Sequence, residues 1–154
     1  MPININDIIN NSRKFNKPVA SRGGSSSYSF GIVNSEGNGK RISFSKSLAE
    51  KLNIHDLENN NTHVYVAISE EDKVVIISKS EVLSHGYKCK LSKSGEKRIS
   101  YNADVVHGIT DAFSLPFNTR TSMSFSNIEF DKAPDGADVA YVHLDEDDIK
   151  RATA

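Results

Sequence analysis

From Tyr28 onward, apolar and polar positions alternate in short runs. Tyr28, Phe30 and Ile32 alternate with small residues and predict a strand. NSEGNG follows as a turn, and Arg41 to Phe44 predict a second strand. Leu48 and Leu52 stand four apart, on one face of a short helix that Ser45 or Ser47 can cap, with Lys51 packing by its stem. Asn53 can stop that helix. Val64, Val66 and Ile68 alternate again, EED makes a hairpin turn, and Val74 to Ile77 return as a strand.

Part of this pattern recurs. KRISF begins at Lys40 and KRISY at Lys97. Sliding the chain by that interval places Phe30 on Tyr87, Ile32 on Cys89, Leu48 on Val105 and Leu52 on Ile109. Val64, Val66 and Ile68 fall on Thr121, Met123 and Phe125, and a shorter final hairpin sets Ile128 and Phe130 opposite Val74 and Ile76. Matching apolar positions over a free surface are what a repeated packing unit demands. The expectation is two strand–strand–helix–strand–strand copies, residues 28–79 and 85–130, interleaved into one β-barrel that hides its strand edges. Residues 138–144 predict an added strand with both faces largely apolar. Residues 1–27 read as a flexible basic arm, with Pro18 ending any early helix and RGGSSS as a linker. Residues 145–154 read as an acidic tail.

Charge sharpens this division. The chain has 154 residues and a net charge of −1. Residues 1–50 carry seven Lys or Arg against three acids, and residues 101–154 carry four against ten. A basic front suits a polyanion, and an acidic end suits self-shielding or a basic partner. The single cysteine, Cys89, excludes an internal disulfide and fits a reducing cytoplasm. No apolar run is long enough to span a membrane.

The first copy resembles the AbrB/MazE/SpoVT group of swapped-hairpin transcription factors. Gly31, Ile32 and Val33 match that group's first strand, Arg41, Ile42 and Phe44 its second, and Leu48, Leu52 and Ile54 its helix. In that group two chains interdigitate into a barrel, so the resemblance implies two fused swapped-hairpin halves in one chain, a pseudo-dimer that is a monomer or homodimer. It also implies double-stranded DNA as partner and a role in transcription regulation, with basic residues on loops and at the helix start as the contacts. The group's basic pairs stand here as Asn34–Ser35 and Ala49–Glu50, while Arg41 and its repeat mate Arg98 keep an arginine at a matching position. Candidate DNA contacts are therefore Arg41, Arg98, Lys40, Lys97 and Lys46, with Arg13, Lys14 and Arg22 on the arm; Lys51, Lys90, Lys93 and Lys17 complete the basic set. Repeated arginines would sit symmetrically, suiting two half-sites.

Other chemistry has a weaker footing. The five histidines show no metal-ligand spacing, and Asp131, Asp135 and Asp138 straddle a Pro-Asp-Gly turn. DEDD at 145–148 opens a short helix, where acids suit the positive end of the dipole. No GxSxG, GxGxxG or phosphate-binding loop is present, so the expectation is a non-enzymatic protein without a cofactor. The alternative to a DNA-binding regulator is a protein-binding module, antitoxin-like or an inhibitor, that kept the barrel and lost its DNA contacts.

Overall fold

The computed structural model describes residues 28–37, 39–54, 63–118 and 120–153. The arm, with Arg13, Lys14 and Arg22, lies outside them. Ten strands appear in the order β1 Phe30–Ser35, β2 Gly39–Phe44, β3 His63–Ser69, β4 Val74–Ser78, β5 Tyr87–Lys90, β6 Ser92–Ser94, β7 Lys97–Tyr101, β8 Ser122–Phe125, β9 Ile128–Lys132 and β10 Asp138–His143. Helix α1 spans Lys46–Lys51, α2 Ala103–Phe113 and α3 Glu146–Thr153. A 3-10 turn covers Glu81–Leu83.

The local signals act as their chemistry dictates. Ser45 caps α1 through its hydroxyl, which accepts from the Leu48 amide, and Asn102 caps α2 by accepting from the Val105 amide. Asn53 takes the left-handed conformation, φ 61°, after α1. The Ile54 amide then donates to Ala49 at 2.8 Å and the Asn53 amide to Glu50 at 3.1 Å, which closes the helix end and folds Ile54 into the interior. Lys51 lays its ammonium over the Phe130 ring at 5.4 Å.

The strands form two antiparallel five-stranded sheets. Sheet A runs β6-β7-β2-β1-β8 and sheet B runs β5-β3-β4-β10-β9. Each sheet mixes strands from both halves of the chain: β2 pairs β7, β1 pairs β8, and β3 pairs β5. The sheets share one interior. Phe30, Ile32, Ile42 and Phe44 of sheet A meet Val64, Val66, Val75, Ile77, Ala140 and Val142 of sheet B, with Leu48, Val105 and Ile109 from the helices. A second cluster, Tyr65, Ile76, Leu83, Val139 and Tyr141, buries the other side of sheet B. Its central strands are therefore apolar on both faces.

Three expectations change. First, no described pairing joins the two sheets into a closed barrel. Second, the hairpin expected from β8 and β9 does not form. The strand at 138–143 lies inside sheet B, between β4 and β9, rather than against a finished barrel, and it takes the edge that β9 would otherwise share. Third, the two KRIS runs face opposite ways. In an antiparallel ladder, residues directly across from each other share a face. Arg41 stands across from Tyr101, Ile42 from Ser100, Ser43 from Ile99 and Phe44 from Arg98. Ile42 and Phe44 point into the core. Ser100 therefore enters the interior, and Ile99 and Tyr101 take the outer face. A one-residue slip in strand parity turns every side chain over, so the ungapped repeat does not carry through β7.

The acidic end forms α3, the short helix that DEDD predicts. The Asp148 amide donates to the Asp145 carboxylate at 3.0 Å, and the Asp145 amide donates back to Asp148 at 3.2 Å. These reciprocal bonds satisfy two amides that open the helix. Asp148 is buried and also accepts from Asn127 at 3.1 Å and Arg151 at 2.8 Å. Burial raises its carboxyl above the ordinary range, while the Asp148 backbone amide lowers that of Asp145. Arg120 donates to the carbonyls of Thr153 at 2.8 Å and Ala152 at 3.4 Å, holding the negative end of α3 beside β8.

The register has a direct test. Phe44→Ala empties a fully buried site and is expected to cost about 3–5 kcal/mol, whereas Tyr101→Ala removes an exposed ring and should cost about 0.5 kcal/mol or less. Urea unfolding followed by circular dichroism reads both. Equal losses from the two aromatics would contradict the opposed faces.

Candidate nucleic-acid interface

Sheet A turns one face to the interior and one to solvent. The pairing registers fix which side chains line the solvent face. One row across the strands holds Ser92, Ile99, Ser43, Gly31 and Ser124. The next row holds Tyr101, Arg41, Val33 and Ser122. Ser94 and Lys97 sit across from each other toward the far end of β7. No Asp or Glu stands at any of these positions. These positions thus hold several hydroxyls and two cations, Arg41 and Lys97, and no acid.

A Cβ on Gly31 would lie 2.5 Å from the Ser43 hydroxyl, so the glycine leaves room for that side chain on the outer face. Tyr101 is the large apolar side chain that stands out, at 64% exposure. The Arg41 guanidinium lies 5.9 Å from its ring centre, within cation–π range.

The expected site residues separate into groups. Arg41 and Lys97 share the outer face of sheet A. Arg98 lies on the other side of the ladder, and its guanidinium donates to the Lys97 carbonyl at 2.9 Å, tying its own turn. Arg41 and Arg98 are therefore not symmetry mates on one surface, because the parity slip at β7 turns one of them over. Lys40 alternates away from Arg41, and its ammonium is 3.6 Å from Glu36. Lys46 opens α1 and reaches Glu96 at 3.8 Å. Ser45, Lys46, Ser94, Gly95, Glu96 and Lys97 line an open hollow of about 580 Å³, which brings Lys46 beside Lys97. At the positions that would carry basic pairs under the resemblance, Ser35 and Ala49 are buried, the Asn34 amide donates to Thr110 at 3.4 Å, and Glu50 is exposed.

Sequence reasoning missed Tyr101 and the serine rows. The aromatic of KRISY has the same neighbours as that of KRISF, so local pattern assigns both to the core. Only the pairing of β7 with β2 and with the three-residue β6 reveals its direction.

Other reactive groups are occupied elsewhere. Asp135 accepts from the Ser80 hydroxyl at 2.8 Å, and Asp138 pairs with Lys132 at 2.9 Å, so the Pro-Asp-Gly turn spends its carboxylates locally. Among the described residues no three His, Cys, Asp or Glu side chains gather as metal ligands. No helix among them is long and apolar enough to cross a membrane. Burial pushes the Cys89 thiol up to about 11, against the opposing pull of Ser100 and Asn102. The thiolate is the reactive form. A thiol-specific reagent at neutral pH should therefore leave Cys89 unmodified in the folded protein and react fully in urea; rapid reaction without denaturant would contradict its burial. Compared with known proteins, the chain matches no protein-family model, no curated protein and no solved structure.

Proposed function

We propose that the chain is a non-enzymatic DNA-binding regulator that holds its polyanion on the outer face of sheet A. One observation carries this reading: five strands bring Arg41, Lys97 and the hydroxyls of Ser43, Ser92, Ser94, Ser122 and Ser124 onto one solvent face without a carboxylate. Cations and hydroxyls are the side chains that contact phosphate oxygens, and such contacts position nucleic acid without reading its sequence. Lys46 lines the same hollow as Lys97 and Glu96, and Glu96 lies 3.8 Å from Lys46.

The exchange of strands between the two halves supports kinship with the swapped-hairpin group. On this reading the two halves descend from one ββαββ unit, and the second half has since drifted. Its counterpart of β1 is divided between the sheets as β5 and β6, and its KRIS strand is turned over. DNA contacts then follow the new geometry and not the ancestral pairs at 34–35 and 49–50.

A second reading is a protein-binding module, antitoxin-like or an inhibitor. The pairing of Lys40 with Glu36 and of Lys46 with Glu96 favours it, because these cations already have anionic neighbours. Exposed pairs of this kind are weak and yield to phosphate at small cost.

A mobility-shift titration with mixed duplex DNA at low and moderate salt separates the two. The regulator reading expects binding that weakens steeply with salt. It also expects the double variant Arg41→Ala/Lys97→Ala to lower the salt slope by about 1 for each phosphate contact removed, with the fold unchanged by circular dichroism. No shift at low salt would leave the protein-binding module.

A further inference from the structure

Resting on the nucleic-acid reading of sheet A, we infer that this face takes an unpaired strand and that Tyr101 stacks on one of its bases. The juxtaposition on β7 suggests the ligand. Tyr101 and Lys97 are exposed toward the two ends of one strand, an aromatic ring and an ammonium, with the buried Ile99 between them on the same side. Ring and ammonium are four residues apart, roughly 13 Å at the rise of a strand. That is room for more than one nucleotide, with a base at one end and a phosphate at the other.

Shape decides between a duplex and a single strand. Duplex bases are read from grooves that admit a protruding helix or a two-stranded ribbon. The outer face of sheet A offers neither: its rows are strand residues, serines, Gly31, Val33 and Ile99, with Arg41 and Tyr101 among them. A face without a protruding helix or ribbon meets a duplex at its backbone. An unpaired strand can splay its bases, and a sheet bearing an exposed aromatic is a surface on which such bases stack. The ring stands on a strand and not on a loop, and Arg41 lies beside it at 5.9 Å. Arg41 can then steady the ring and meet the neighbouring phosphate. The hydroxyls of Ser43, Ser92 and Ser94 border the path and offer donors to the sugar–phosphate backbone.

The chemistry is common to single-stranded DNA and RNA. Fluorescence anisotropy should therefore compare labelled oligothymidylate, oligouridylate and a duplex of equal length, on the wild-type chain and on Tyr101→Ala, Tyr101→Phe and Arg41→Ala/Lys97→Ala. The proposal expects at least one single strand to bind more tightly than the duplex, and the stronger of the two arms assigns the sugar. Tyr101→Ala should weaken that strand about 5- to 150-fold, the range for loss of one stacked base, without changing the salt slope. Tyr101→Phe keeps the ring and should retain the binding. The arginine–lysine variant should instead flatten the salt dependence. Single-strand affinity unchanged by Tyr101→Ala, or a preference for the duplex, would overturn the stacking site. Duplex binding that depends on Arg41 and Lys97 would in that case still stand as a DNA interface. Absence of binding to every probe would remove both.

Discussion

The backbone ladder between β2 and β7 is the constraint from which the rest follows. It joins the two halves of the chain, and its register admits only one assignment of faces. Once Ile42 and Phe44 are committed to the interior, Ser100 must enter beside Cys89, and Ile99 and Tyr101 must leave. The choice costs an aromatic side chain its burial, and it places a hydroxyl where the repeat would put Ile99. It also sets Tyr101 across from Arg41. The solvent face of sheet A is thus a by-product of how the core was satisfied on its other side.

Much of the local structure was legible from residues alone. The alternation at Phe30 and Ile32, the cap at Ser45, the stop at Asn53 and the acid-led helix near Asp145 all express interactions within a few residues, and each appears where its signal lies. The strand at 138–143 was also readable, because Val139 to Val142 are apolar without interruption. Its place was not. A continuous apolar run says that both faces are covered but not by which neighbours; β10 joins β9 as a local hairpin but reaches β4 through pairings sixty or more residues apart along the chain, Val139 with Ser78 and His143 with Val74. The candidate site failed on the same account. Arg41 was a candidate because its residue type is informative, while the exposure of Tyr101 was invisible because it depends on parity, which two near-identical pentapeptides cannot reveal.

The position of β10 also has a consequence for biogenesis. Ser78 at the end of β4 donates its hydroxyl to Asp138, sixty residues further along the chain. During synthesis β4 emerges long before the neighbour that will cover its open side, and VVIIS carries no charge to blunt that edge. A nascent chain at this stage presents an apolar strand with unpaired amides, the kind of surface that recruits other chains or chaperones. Completion of sheet B therefore ends a vulnerable interval on the ribosome, and its length is written into strand order.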